Sequence, residues 1–192
     1  NNVLIPRPDT EILIEQALKL VKNKNSLQIL DIGIGSGCIL MSILKEKKNF
    51  IGTGIDISNK SLQISKVNAQ KLRINNRLKL FKSNIDNFNT GKYDLIVSNP
   101  PYIKKSNLKC LEKDIGFEPK QALDGGLDGL SEIRKVINKS SELIKRSGHF
   151  IIEIGFDQKN KVKKILRDKG FYIKKSVKDL SNHDRCIVSI KI

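Results

Sequence analysis

Tryptophan is absent from this chain, methionine occurs once, and cysteine occurs three times in 192 residues. Cys38, Cys110 and Cys186 are odd in number and far apart, so neither a disulfide framework nor a zinc site is suggested. No metal is expected, and a reduced, cytoplasmic setting is. Long apolar runs are also scarce. The longest tract, residues 29–44, contains Asp31 and three glycines, so it is no membrane span. No signal-peptide pattern opens the sequence, and no membrane partner is expected. Aromatic residues make up only 5%, and no basic run is interleaved with them. The formal charge of +16, from 36 Lys and Arg against 20 Asp and Glu, is spread along the chain. It reads first as solvated lysine and second as attraction to RNA-rich partners; no specific nucleic acid is expected. Histidine offers little general-base chemistry: His149 opens a strand and His183 lies in a late loop.

What is present is an alternation of short apolar strands with amphipathic helices. Strands are expected at 27–32, 50–56, 78–82, 93–98, 150–154, 171–177 and 186–192. Helices are expected at 10–21, 38–47, 59–73, 130–144 and from 157 to just before Gly170. Ser147-Gly148 reads as a turn. Such alternation predicts an α/β fold with a mostly parallel sheet and helices on both faces. The last two strands are too close in sequence for a parallel crossover, so they should run antiparallel. Residues 103–129 form the longest irregular stretch, a length that is usually functional or mobile. The 192 residues fit one domain.

Two constellations carry chemistry. Asn99-Pro100-Pro101-Tyr102 follows the fourth strand, where open α/β sheets place their ligand sites. The prolines force an extended, stiff loop with few internal hydrogen bonds. The Asn99 side-chain oxygen and the Pro100 carbonyl can then point outward as an acceptor pair for a planar –NH2 group, with Tyr102 as a flat wall. A rigid turn with Asn99 capping a neighbouring backbone is the competing reading. The second constellation is Gly33-Ile34-Gly35-Ser36-Gly37, between the first strand and a helix, with Asp56 ending the second strand. Glycines allow close backbone approach, the helix N-terminus offers free N–H groups, and a strand-end acid can take ribose hydroxyls. The spacing G-x-G-x-G departs from the dinucleotide fingerprint G-x-G-x-x-G. A nucleoside cofactor is the expectation, and a tight turn with a solvated acid the alternative.

Asp31-Ile-Gly-Ile-Gly-Ser-Gly37, Asp56 and Asn99-Pro-Pro-Tyr102 together resemble a class I S-adenosylmethionine-dependent methyltransferase with a Rossmann-like, seven-stranded sheet. Further stretches resemble the HemK/PrmC family: Ile5-Pro-Arg-Pro-Asp-Thr-Glu11, Phe117-Glu-Pro119 with Ala122-Leu-Asp-Gly-Gly126 and Asp128-Gly-Leu130, Glu153-Ile-Gly155 with Gln158, and Asp184-Arg185. The resemblance covers nearly the whole chain. It implies methyl transfer from S-adenosyl-L-methionine, leaving S-adenosyl-L-homocysteine, to the side-chain amide nitrogen (N5) of the Gly-Gly-Gln glutamine in peptide chain release factors.

By the same resemblance, Gly33, Ile34, Gly35, Ser36 and Gly37 line the methionine part of the cofactor and Asp56 binds the ribose. Asn84 and Ile85 flank the adenine, where the family usually has Asp and often an aromatic. Asn99 also borders the cofactor. Asn99, Pro100 and Tyr102 carry catalysis, and these with Pro101 hold the substrate glutamine. Arg7 and Thr10 lean toward a place over the cofactor pocket, against a plain helix-capping role. Glu118 reads equally as loop anchor or pocket wall. Gly125, Gly126 and Gly129 read as turn formers. Residues 1–192 correspond to the catalytic domain, and the family's N-terminal helical domain has no counterpart in them. Glutamine methylation on a ribosomal protein, amino-group methylation of a nucleic-acid base, and nicotinamide-dependent oxidoreduction stay open as alternatives.

Overall fold

The computed structural model describes residues 8–111 and 122–192. Arg7 and the run 117–119 lie outside the described residues. The chain runs α1 (Pro8–Leu20), β1 (Gln28–Ile32), α2 (Cys38–Glu46), β2 (Ile51–Asp56), α3 (Asn59–Lys71), β3 (Leu78–Lys82) and β4 (Tyr93–Ser98). It continues through α4 (Lys105–Leu111), α5 (Ser131–Leu143), β5 (Ile144–Glu153), α6 (Lys159–Asp168), β6 (Phe171–Lys178) and β7 (Asp184–Lys191). The seven strands form one sheet in the order β3-β2-β1-β4-β5-β7-β6. The first five are parallel, and β7 is antiparallel to both β5 and β6. This is the expected mixed α/β architecture, with the last two strands paired directly.

Period-2 alternation splits the strand side chains between two cores. Ile29, Leu95, Val97 and Ile151 face one side, where they meet Leu13 and Ala17 of α1 and Leu40, Ile43 and Leu44 of α2. Leu30, Ile96, Phe150 and Ile152 face the other, against Ile133 and Ile137 of α5 and Val162 and Leu166 of α6. Buried on both faces, the central strands read in sequence as continuous apolar runs. Helix starts follow local chemistry. Ser58 Oγ accepts the Ser61 N–H at 3.3 Å and starts α3. The helix expected from Asp157 begins at Lys159 instead, with Gln158 in the cap position and the Asp157 carboxylate on Lys104 Nζ at 2.9 Å.

Two further differences from expectation stand out. The Ser147-Gly148 turn lies inside β5, which starts at Ile144. Ser147 does take a left-handed φ of 62°. The β4–β5 register jumps from Tyr93↔Ile144 to Leu95↔His149, so the ladder continues on both sides of an extended bulge. Within the stretch expected to be irregular, α4 forms over Lys105–Leu111, and Ile103 bridges Asp124.

Arg77 ties the sheet edge to α2. Its guanidinium donates to the Lys47 and Phe50 carbonyls at 3.0 Å and to the Leu44 carbonyl at 2.9 Å. Replacing it takes this donor from three carbonyls around the α2–β2 connection, of which Lys47 keeps a second donor, the Phe50 N–H at 3.2 Å. Arg77→Ala is expected to lower the unfolding free energy by ~2 kcal/mol, the scale of hydrogen bonds to a charged group. Arg77→Lys should recover only part, since an ammonium lacks the planar fork. Urea unfolding of the three proteins measures both.

Candidate active site

The sheet order puts β1 between β2 and β4, with α1–α3 and α5–α6 on opposite faces. The ends of β1, β2 and β4 therefore open into one crevice, the usual ligand position of such sheets. The glycine turn after β1 is anchored on β2: the Gly33 and Ile34 N–H groups both donate to the Ile55 carbonyl at 2.9 Å. Gly35 N–H donates to Asp56 Oδ2 at 2.9 Å, and Ser58 N–H to Asp56 Oδ1 at 2.8 Å. Each Asp56 oxygen keeps a second lone pair, in a carboxylate held still by backbone. From α3, Ser65 Oγ donates to the Gly35 carbonyl at 2.8 Å and Asn68 Nδ2 to the Ser36 carbonyl at 2.9 Å. Gly33, Gly35 and Gly37 have φ of 76°, 57° and 85°, which side chains rarely adopt. A Cβ on Gly33 would meet nothing within 4 Å, so open space lies over the start of the turn, whereas one on Gly37 would run into the Met41 side chain.

Asp31, which opens the glycine motif and has no separate role in the sequence reading, sits one position before β1 ends. It is 1% exposed, and neither carboxylate oxygen has a hydrogen-bond partner among the described residues. Burial pushes its pKa from 3.8 up to about 7; the Leu40 backbone N–H of α2, close by but outside hydrogen-bonding geometry, pulls down and the Asp56 charge pushes up further. A buried acid without a partner beside a glycine turn suits a ligand with an ammonium group. The adenine side is less built. Asn84 is exposed, and its Oδ1 accepts the Asp86 N–H at 3.1 Å, capping a short turn. Ile85 packs against the α5–α6 core. Ile57, directly after Asp56, is 62% exposed and offers an apolar surface that sequence reasoning missed. An orphaned buried acid, an open glycine cradle, a fixed strand-end carboxylate and flanking apolar groups fit S-adenosylmethionine.

The loop after β4 is stiffened by more than proline. Ile103 N–H donates to the Leu123 carbonyl at 3.1 Å, and Gly125 N–H to the Ile103 carbonyl at 2.8 Å. Gln158, 3% exposed, ties three segments: Nε2 donates to the Tyr102 carbonyl at 2.9 Å and the Gly129 carbonyl at 3.0 Å, and Oε1 accepts the Gly155 N–H at 2.9 Å. A Cβ on Gly129 would lie 2.7 Å from both Gln158 Nε2 and the Tyr102 carbonyl, so this junction admits glycine alone. Gly129 is thus a packing requirement as well as a turn former.

Asn99, Pro100, Pro101, Tyr102, Ile103, Ala122, Leu123 and Glu153 line one small, solvent-open crevice. Asn99 Nδ2 donates to Thr10 Oγ1 at 3.2 Å, and Thr10 Oγ1 donates to Glu153 Oε2 at 3.0 Å. Among the described residues, nothing donates to Asn99 Oδ1 or to the Pro100 carbonyl. Thr10 therefore sits at the substrate loop, and Glu153 joins it. Neither link could be found from spacing along the chain.

The sequence matches the methyltransferase small domain over residues 8–173. It is 38% identical to a release factor glutamine methyltransferase of Caulobacter vibrioides, over 99% of this chain and 66% of that protein. It is 40% identical to one from Buchnera aphidicola subsp. Acyrthosiphon pisum, over 99% of this chain and 68% of that protein. The chain belongs to the family of release factor glutamine methyltransferases. It spans about two thirds of the length of these two relatives. A crystal structure of a ribosomal protein L11 methylase from Lactobacillus delbrueckii subsp. bulgaricus shares the fold. The TM-score is 0.73 at 19% identity, covering 99% of this chain and 82% of that one. Among the described residues of this family member no helix is long and apolar enough to cross a membrane, and no cluster of His, Cys, Asp and Glu could hold a metal ion.

Asp31 gives the site a pH signature. Between about pH 4 and 7 the folded protein keeps a proton that the unfolded chain has lost, so stability falls as pH rises through that window. Asp31→Asn removes this loss. In thermal melts of the free protein, Asp31→Asn should gain on the wild type from pH 5 to pH 8. A gap that does not change with pH would mean that Asp31 titrates as an ordinary carboxyl.

Proposed function

We propose that this chain transfers a methyl group from S-adenosylmethionine to the side-chain amide nitrogen of the glutamine in the Gly-Gly-Gln motif of peptide chain release factors. One observation carries the reading. Two acceptors on a stiff loop, Asn99 Oδ1 and the Pro100 carbonyl, are left without donors among the described residues, in a crevice at the end of β4, the strand paired with the β1 end that enters the glycine turn. A primary carboxamide has two N–H donors on one flat nitrogen, which matches that pair. When bound, S-adenosylmethionine supplies a methyl carbon already activated by its sulfonium.

The residues then have only to place and prepare the nitrogen. Its lone pair is delocalised into the carbonyl, so it is a poor nucleophile. Asn99 Oδ1 and the Pro100 carbonyl each accept one N–H, which fixes the nitrogen's direction and favours localisation of the lone pair during attack. Orientation of this kind is worth several kcal/mol, and fixed acceptor dipoles add to it. Tyr102 walls the crevice and limits water. The N–C bond would form as the methyl–sulfonium bond breaks with its electron pair staying on sulfur, and the N-protonated methylamide, a strong acid, would release its extra proton to water at the crevice mouth, so the crevice supplies acceptors rather than a strong base.

The substrate is a macromolecule, which agrees with the open side of the crevice. Leu127, Phe156 and Leu180 are 87%, 63% and fully exposed on loops at the same end of the sheet, available to a protein partner. Residues 1–192 act in this reading as a catalytic methyltransferase domain working in the cytoplasm. Its affinity for the release factor is favoured by the positive charge if the factor is acidic or RNA-bound.

The test incubates the chain with labelled methyl donor and, separately, release factor, ribosomal protein and RNA, then locates the label by mass spectrometry. Label is expected on the Gly-Gly-Gln glutamine; label on ribosomal protein or RNA alone would replace this reading. Asn99→Ala should slow turnover about 100-fold or more, the scale of losing one fixed polar contact to the reacting group. Its affinity for S-adenosylhomocysteine should be nearly unchanged.

A further inference from the structure

We propose that Thr10 and Glu153 are positioning residues that set which way the Asn99 side-chain amide faces. The inference rests on the amide-transfer reading above and deepens it. Thr10 lies in the first turn of α1 and is 5% exposed; Glu153 ends β5 and is 2% exposed. They stand 89 and 143 residues from their partners in one line of hydrogen bonds, Asn99 Nδ2 to Thr10 Oγ1 to Glu153 Oε2.

The direction of that line follows from counting protons. A carboxylate can only accept. The single hydroxyl hydrogen of Thr10 is therefore committed to Glu153. Toward Asn99 the Thr10 oxygen then offers lone pairs alone. Only the –NH2 arm of the Asn99 amide can answer them, so the carbonyl arm must face the opposite way. Oδ1 is thereby aimed into the crevice as an acceptor. Rotated by 180°, the same side chain would present N–H groups to the N–H groups of an incoming carboxamide. The two rotamers have nearly the same shape, so packing cannot choose between them, whereas the proton count can. Tyr102 O–H, 3.4 Å from Glu153 Oε1, adds a second donor to the same carboxylate.

The line also places α1 in the site. Asn99 and Glu153 come from the β4 and β5 ends, and Thr10 bridges them from a helix that packs on α2 and the sheet. The acceptor pair is complete only when the first turn of α1 is seated.

Three variants test this in the full chain: Thr10→Val, which keeps shape and loses the hydroxyl, Thr10→Ser, which keeps the hydroxyl, and Glu153→Gln, which can donate as well as accept. Methyl transfer to release factor gives kcat and KM. Titration with S-adenosylhomocysteine gives cofactor affinity. The Asn99 side-chain NH2 pair in nitrogen-15 spectra, assigned through Asn99→Ser, reports the Thr10 bond without any turnover. Thr10→Val is expected to lower kcat about 100-fold, as misplacement of a reacting group does, with KM and cofactor affinity little changed. One Asn99 NH2 proton should exchange slowly in the wild type and in Thr10→Ser, and rapidly in Thr10→Val. Thr10→Ser should restore most of kcat. Glu153→Gln should resemble Thr10→Val, and it carries the test if the valine variant does not fold. Wild-type kcat in Thr10→Val, equal loss in Thr10→Ser and Thr10→Val, or an unchanged Asn99 signal in Thr10→Val each overturns the proposal. If the wild type leaves release factor unlabelled, the amide-transfer reading falls, and the Asn99 signal still decides the role of Thr10.

Discussion

Everything in the site depends on β1 pairing with β2 on one side and β4 on the other. The chain leaves β1 for α2, returns at β2, and reaches the other flank of β1 only at β4. That reversal opens the sheet between two strand ends and brings residues 31–37, 56 and 99–102 to one place. The pairing is enforced at the crevice itself. Both N–H groups at the start of the glycine turn close on the Ile55 carbonyl, and the third closes on the Asp56 side chain. A one-residue slip of β1 against β2 would break all three and would send Ile29 and Leu30 to the wrong faces. Fold and cofactor cradle are held by the same register.

The substrate side is made rigid by a different device. Pro100 and Pro101 restrict the backbone, but proline alone does not fix where a loop lies. Its position comes from Gln158, whose amide reaches the Tyr102 and Gly129 carbonyls and the Gly155 N–H at once. All are buried or half-buried, so each bond left unmade would cost about 1–3 kcal/mol. A loop satisfied this way has little freedom to lose when substrate binds, which is the physical content of preorganisation. The outward acceptors are the exception. Left without donors among the described residues, they are where a ligand's N–H groups are worth most.

Much of this was legible in the sequence because it is local. Apolar runs bounded by turns gave the strands, often to the residue, as at 78–82 and 93–98. The glycine spacing with an acid twenty-odd residues on gave the cradle, and the diproline gave the stiff loop. What escaped were features that exist only across the fold. Asp31 opened the glycine motif without a role of its own; its burial without a hydrogen-bond partner shows only once α2 is packed above it. Thr10 read as leaning over the cofactor pocket, with no sign of its place at the substrate loop, since its partners lie 89 and 143 positions away. Gln158 matched a family pattern, with no hint of three bonds. The Ser147-Gly148 turn was correct as local geometry and wrong as a boundary, because a strand can carry a bulge when its neighbour continues the ladder on both sides. Helix α4 fell in a stretch with no clear period.

Magnitudes decide what holds the Asn99 amide in place. The Thr10–Glu153 hydrogen bond is worth about 1.5–3 kcal/mol, as for a bond to a charged group. By itself that could not seat a helix against the loss of backbone freedom over its first turn, about 1–2 kcal/mol per residue. Burial does the seating. Leu13 and Ala17 are fully buried and Val21 is 3% exposed, which together supply roughly 4–6 kcal/mol of apolar transfer. Docking of α1 is thus driven by its apolar stripe, and the polar line selects among states that docking has already reached. The division explains why the two cores can be read as ordinary packing while a single hydroxyl on that packing sets the chemistry. Seating is a matter of area and tolerates substitution, whereas the facing of an amide is a matter of where one proton goes and does not.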